Sequence, residues 1–302
     1  MIHLSDVSQS RLAMGTVALG MPYGFSVEGK PQRLLRKDAV KLLHAARDAG
    51  VRWFDTAPGY GESEQIVGEA FANDLSVVIA TKVDRTDADS IEVSIEQSLG
   101  RFKREQLDIV QIHNATAELL LQTDTMEMLS KLQQQGKIGQ IGASVYGEEA
   151  AKAALKAGIK VLQVACNLLD QRMLKQVVTD AEQQNVHLLI RSVFLKGVLT
   201  SWGRDLKGEL DLLHQAAQGV VESLQIEWEE LAEVALRYAL HCTQQSHALI
   251  GATSLQELQQ ALLAEQQGPL PEWQMQQIKK LATENDQLLN PSQWPKSNQL
   301  SG

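Results

Sequence analysis

Four side chains have the types and the spacing needed to place a proton on a carbonyl oxygen: Asp55, Tyr60, Lys82 and His113. A tyrosine hydroxyl can protonate a developing alkoxide when a nearby cation holds its pKa down. A lysine can be that cation, and an aspartate can hold the lysine. A histidine can orient the carbonyl oxygen or assist the proton transfer. Each residue also has a plainer reading. Asp55 could cap a following helix, and Tyr60 lies in a Gly/Pro loop where surface aromatics are common. Lys82 could be a rim ion pair, and His113 a satisfied core or rim histidine. Taken as four independent residues they make a weak case. Their common placement, at or just after short apolar runs, is what joins them.

Those runs alternate with helical patterns. Strand-like segments are Leu12–Leu19, Val51–Phe54, Val77–Ala80, Leu107–Ile112, Ile138–Ala143, Val161–Val164, His187–Ile190 and His247–Ile250. The helical segments after them are Lys37–Ala49, Ser63–Phe71, Ile91–Leu99, Thr125–Gln135, Glu148–Ala157, Arg172–Gln184, Ile226–Leu240 and Ser254–Leu263. In the first, Ala39, Val40, Leu43, Ala46 and Ala49 recur at helical spacing before Gly50. In the second, Ile66, Val67 and Ala70 face inward while Glu64 and Glu69 face water. Eight such units with near-continuous apolar strands predict an α/β fold, a (β/α)8 TIM barrel. An open doubly wound sheet would want a Gly-rich phosphate loop after an early strand, and neither GxGxxG nor a Walker A motif occurs.

In a barrel the C-terminal strand ends carry the active site. That puts Asp55, Thr81, Lys82, His113, Ser144, Asn167, Arg191 and Ser192 on one rim. The stretch between Ile190 and Ile226, punctuated by Gly197, Gly203, Gly208 and Gly219, reads as an extended loop over that rim. Beyond about residue 270 come a helix, Trp273–Asn285, and a Pro/Gln/Ser tail that looks poorly ordered by composition. The expected organisation is one barrel domain over 1–302, with a core at about 10–265 and a C-terminal helix and tail at about 270–302.

Composition bounds the function. The chain of 302 residues carries 28 basic and 37 acidic residues, a net charge of −9, with no basic stripe. This argues against nucleic acid as a partner. Cys166 and Cys242 are far apart, so no cysteine metal site or disulfide framework is expected. No apolar run approaches a membrane span. Met1–Asp6 lacks the basic and apolar regions of a signal peptide, so the cytoplasm is the default. The expected partner is a small molecule, and the expected state a monomer or small homo-oligomer.

The block Phe54-Asp55-Thr56-Ala57-Pro58-Gly59-Tyr60-Gly61-Glu62-Ser63-Glu64 resembles the signature of the aldo-keto reductase superfamily. So do Ala80-Thr81-Lys82-Val83, Leu107–His113 and Gly136–Ser144, and the resemblance runs from about Gly15 to about Leu263. It implies a catalytic tetrad of Asp55, Tyr60, Lys82 and His113. It also implies a nicotinamide cofactor, by family habit NADP(H), with NAD(H) possible. Ser144 and Gln163 match the residues that hold the carboxamide, although Val145 stands where Asn is usual. Arg191 falls where the family has a tyrosine stacked on the nicotinamide, and it could instead pair with the pyrophosphate or the substrate. The loop Arg191-Ser192-Val193-Phe194-Leu195-Lys196-Gly197 and the opening Gly15-Thr16 to Gly24 resemble a bacterial branch associated with sugar metabolism. Cofactor contacts are thus expected at Gly15, Thr16, Asp55, Ser192, Phe194, Leu195 and Gly197. They are also expected at Gly251, Thr253 and Ser254, in a segment resembling the one that holds the adenosine phosphate.

The implied activity is reduction of an aldehyde or ketone, including sugars, to an alcohol by hydride transfer with Tyr60 as general acid. A sugar dehydrogenase or a catalytically silent nucleotide-binding barrel is the alternative. Where NADPH users carry Arg or Lys, this chain has Ser254 and Leu255. A 2′-phosphate normally wants a bidentate guanidinium. Only a hydroxyl and backbone amides at the helix start remain to hold it, so discrimination against NADH should shrink.

Overall fold

A computed structural model describes residues 10–23, 34–84, 87–291 and 293–294. Eight parallel strands close into a barrel in chain order: β1 Leu12–Gly15, β2 Trp53–Asp55, β3 Val78–Val83, β4 Leu107–Ala115, β5 Ile138–Val145, β6 Val161–Ala165, β7 His187–Arg191 and β8 Ser246–Ile250. β1 pairs with both β2 and β8, which completes the ring.

Strand alternation then decides which side chains meet inside. Ala13, Trp53, Val78, Ala80, Ile109, Val161, Leu189 and Leu249 form one cluster separate from the larger core between strands and helices. Side chains two residues apart share a face. Stepping by two toward the C-terminal ends puts Asp55, Lys82, Gln111, Gln163 and Arg191 on that same inner face. Ser144, paired with Gln163, joins them. The barrel interior is therefore apolar at mid-height and polar at its top. Its floor is aromatic: the Trp53 ring stacks on His187 at 4.6 Å, and His187 Nε2 is hydrogen-bonded to His247 Nδ1 at 2.8 Å. Burial drives both histidines toward the neutral form, His187 to a pKa of about 4 and His247 to about 2.

Several elements differ from expectation. β1 stops at Gly15, and Val17–Gly20 makes a helical turn instead of more strand. Arg172–Gln184 is two short helices, Arg172–Gln176 and Val178–Gln183, because the backbone at Val177 leaves helical geometry. The stretch after β7 is not one extended loop. It contains a helix, Asp211–Leu224, that buries Leu213, Ala217, Val220, Val221 and Leu224. Glu64 does not face water: it is 1% exposed and is held by Thr81, Ser98 and Arg101. The terminal helix runs over Glu272–Leu281 with a further turn at Asp286–Leu289. It docks on the loop after β6, where Gln171 Nε2 donates to Ile278 O at 2.6 Å. Met1–Asp6, Gly24 and the tail beyond Trp294 lie outside the described residues.

Candidate active site at the barrel mouth

The loop that carries Tyr60 is clamped by close backbone approach. A Cβ on Gly20 would fall 2.0 Å from Tyr60 O, and one on Gly61, which has φ +61°, would fall 2.5 Å from Gly20 O. Only glycine fits either position. Glu62 N donates to Gly20 O at 3.3 Å, and Ser63 N donates to Tyr60 O at 3.1 Å. Beneath the loop, Thr16 Oγ1 donates to Asp55 O, and Ser63 Oγ shares hydrogen bonds with the hydroxyls of Thr16 and Thr56. Thr16 is fully buried by this network, so it supports β2 and does not line the mouth.

Asp55 is the hub of the polar layer. Its Oδ2 accepts from Lys82 Nζ at 2.6 Å. Its Oδ1 accepts from Gln111 Nε2 at 2.9 Å and Gln163 Nε2 at 2.8 Å. Lys82 Nζ also donates to Thr56 O at 2.8 Å. Both charges of the pair are buried, at 3% and 1% exposure. Such a pair persists where further hydrogen bonds support it, here from Gln111 and Gln163 to Asp55 and from Lys82 to Thr56 O. Above it, Lys82 Nζ lies 5.0 Å from the centroid of the Tyr60 ring. The His113 ring meets Tyr60 edge-on at 6.2 Å, and its Nδ1 is paired with the Asp84 carboxylate. The four residues singled out from the sequence thus converge.

The electrostatics differ from the simple expectation. Burial, and then the Asp55 carboxylate, push the Tyr60 hydroxyl well above its ordinary pKa, and Arg191 opposes them. The phenol is therefore held protonated.

Ser144 Oγ donates to Gln163 Oε1 over a long 3.3 Å, which leaves hydroxyl and amide capacity for a ligand. Arg191 lies over the Tyr146 ring at 4.0 Å and donates to Val145 O and Ser192 Oγ. Its buried Nε has no partner. Ser192, Leu195 and Lys196 all have positive φ, and Asn167 Nδ2 braces the turn by donating to Ser192 O at 3.1 Å. Three non-glycine residues in that region mark a strained turn held in place by its surroundings. Within it Leu195 points into the core, Phe194 is half-buried, and Gly197 has open space where a Cβ would stand. Gly15, at the end of β1, is closely packed by Leu249 and Ile250.

Gly251 is open on its Cβ side. Beyond it, Ser254 caps the helix Leu255–Gln266, accepting from Glu257 N at 3.1 Å. The Glu257 carboxylate takes the Thr253 amide at 2.7 Å and the Thr253 hydroxyl at 3.1 Å. Two of the donors at this helix start, the Thr253 amide and hydroxyl, are thus already engaged by a carboxylate.

Gln111, Asp84, Glu64 and Glu257 were not read as site residues from the sequence. Two had a signal. Gln111 is two residues before His113, and Asp84 two after Lys82, so strand alternation points to both. Glu64 and Glu257 depend on distant or turn geometry. Among the described residues no group of three or more metal-ligating side chains assembles. None of the described helices is long and apolar enough to cross a membrane.

A model of the aldo/keto reductase family matches residues 11–283. The chain belongs to the aldo/keto reductase family. Among its relatives is the aldo-keto reductase YhdN of Bacillus subtilis, 28% identical over 65% of this chain. The match spans 62% of that relative's length, less than two thirds. Another is an NADH-specific methylglyoxal reductase of Escherichia coli, 26% identical over 65% of this chain and 67% of its own. The holo form of the aldo-keto reductase AKR11C1 from Bacillus halodurans shares the fold with a TM-score of 0.77. It is 24% identical, and the match covers 92% of this chain and 95% of that one.

Proposed function

We propose that this chain is a nicotinamide-dependent reductase of small aldehydes or ketones, sugars and sugar derivatives among them, with Tyr60 as the general acid. The observation that carries the reading is the buried Asp55–Lys82 pair, with Lys82 Nζ 5.0 Å from the centroid of the Tyr60 ring, whose hydroxyl is held protonated. Asp55 fixes the Lys82 ammonium, and Lys82 presents its charge to the phenol ring. Tyr60 delivers its proton to the carbonyl oxygen as that oxygen becomes an alkoxide. His113, oriented by Asp84, lines the carbonyl side of the same space and positions the substrate.

The mouth suits a nicotinamide cofactor: Ser144 and Gln163 have spare polar capacity. Bound there, such a cofactor supplies the hydride. Ser144, Gln163 and Arg191 would line its nicotinamide end, and Gly197, Gly251, Thr253 and Ser254 the remainder. The family's habit points to NADP(H). This chain's residues favour NAD(H), because Glu257 occupies the helix start where a 2′-phosphate would sit. We read 1–302 as one domain, since the terminal helix packs onto the barrel loops.

The test is turnover of an aldehyde and aldose panel with NADH and NADPH, followed by loss of reduced-nicotinamide absorbance. Turnover of a carbonyl with either cofactor supports the reading. Tight cofactor binding with no turnover of any carbonyl would favour a silent nucleotide-binding barrel.

A further inference from the structure

Among the described residues, the carboxylates of Asp55 and Asp84 and the basic side chains of Lys82, His113, Arg191 and Lys196 lie around Tyr60 and Tyr23. Asp55 is matched by Lys82, and Asp84 by His113. That leaves Arg191 and Lys196. Among the described residues neither has a carboxylate partner, although the chain as a whole carries nine more acidic than basic residues. Lys196 is exposed, with its Nζ 5.8 Å from the centroid of the Tyr23 ring. Arg191 is held more firmly. Its guanidinium is stacked on Tyr146, and two donors are tied to Val145 O and Ser192 Oγ. Three N–H groups remain, including the buried, unpaired Nε.

We propose that Arg191 is a specificity-determining residue that binds an anionic group, a carboxylate or a phosphate, carried by the carbonyl substrate. This rests on the reductase reading above. An unpartnered buried donor is costly to keep, and an anion that accepts from it removes that cost. Guanidinium matches carboxylate and phosphate geometry with paired N–H bonds. The strained turn at Ser192–Lys196 keeps the group in place when no ligand is bound.

The same anion chemistry could come from the cofactor's own pyrophosphate. Position favours the substrate. Arg191 pairs with Ala165 at the top of β7, in the inner-face register of Leu189, and its charge acts on the hydroxyls of Tyr60 and Tyr23. The pyrophosphate is separated from the reacting carbon by a ribose, whereas the substrate's other functional group lies within a few bonds of the carbonyl.

The experiment compares 4-carboxybenzaldehyde with benzaldehyde in the parent, Arg191→Gln and Arg191→Lys, reading kcat/KM for each and Kd for the cofactor. One charge-assisted bidentate contact predicts that the ratio of anionic to neutral kcat/KM falls by roughly 10- to 100-fold in Arg191→Gln. Arg191→Lys should recover part of it. A ratio that moves less than about threefold overturns the proposal, as threefold is under 1 kcal/mol. So does an equal loss on both aldehydes with cofactor Kd weakened about tenfold or more, which would assign Arg191 to the pyrophosphate. If no aldehyde is turned over, the reductase reading fails separately. Calorimetric titration of the cofactor complex with 4-carboxybenzyl alcohol against benzyl alcohol then decides the anion site. Weaker binding of the acid alone in Arg191→Gln supports the site, and unchanged binding overturns it.

Discussion

Replacing Glu257 by Gln should move cofactor preference toward NADPH. In the structure the Glu257 carboxylate accepts from the amide and hydroxyl of Thr253 at 2.7 and 3.1 Å, at the start of the helix Leu255–Gln266. A phosphate seeking the same donors must displace a charge-assisted contact, about 1.5–3 kcal/mol. It also loses the benefit of the helix N-terminus, about 0.3–1 kcal/mol at an exposed site, because a negative charge is already there. The parent should therefore bind NADH at least as tightly as NADPH. Glu257→Gln removes the negative charge but keeps an acceptor for Thr253, so the cap survives. A gain of about 1.5–3 kcal/mol for NADPH corresponds to roughly 10- to 150-fold in the ratio of dissociation constants. The assay is quenching of tryptophan fluorescence by each cofactor in low-phosphate buffer, with NADH as the internal control. A parent that prefers NADPH a hundredfold or more, with a ratio unmoved by Glu257→Gln, would refute this reasoning and reveal a cation reaching in from elsewhere.

Two further outcomes follow from the barrel interior. Lys82→Met leaves Asp55 buried with only its two glutamine partners, so stability should fall by about 3–5 kcal/mol, read as a lower midpoint in urea, and turnover should be lost. Asp55→Asn in the Lys82→Met background should restore much of the stability without restoring activity. The histidine pair at the barrel floor should make the protein acid-sensitive. The folded-state pKa of His187 is lowered from 6.5 to about 4. Its stabilisation is therefore complete above pH 6.5 and lost as pH falls from 6.5 toward 4, reaching about 3 kcal/mol. Urea midpoints in that window should fall less steeply in His187→Phe than in the parent.

Much of the barrel can be read from the chain because each strand is a short apolar run bounded by helical periodicity, from Trp53–Asp55 to Ser246–Ile250. The helix Asp211–Leu224 was hidden by punctuation. Gly208 and Gly219 suggest a loop, yet Leu213, Ala217, Val220, Val221 and Leu224 keep a helical stripe, and Gly219 is tolerated where a Cβ would meet open space. Glu64 looks like a solvated helix residue because its partners Thr81 and Ser98 are 17 and 34 residues away. Only tertiary packing brings them together. Gln111 and Asp84 were legible in principle, since strand alternation places each beside a residue already singled out. Glu257 was not. Its effect depends on which backbone amide its carboxylate reaches, and residue type alone does not say that.

The most direct test of the account is turnover by Tyr60→Phe at saturating cofactor. The substitution removes the phenolic proton and keeps the ring that faces Lys82 and His113. A positioned general acid contributes about 10²–10⁴-fold. The account predicts a fall in kcat of that size, with cofactor dissociation constants within about twofold of the parent, a difference worth only some 0.4 kcal/mol. Parent-level kcat in Tyr60→Phe would contradict it and move the proton donor to another residue at the mouth.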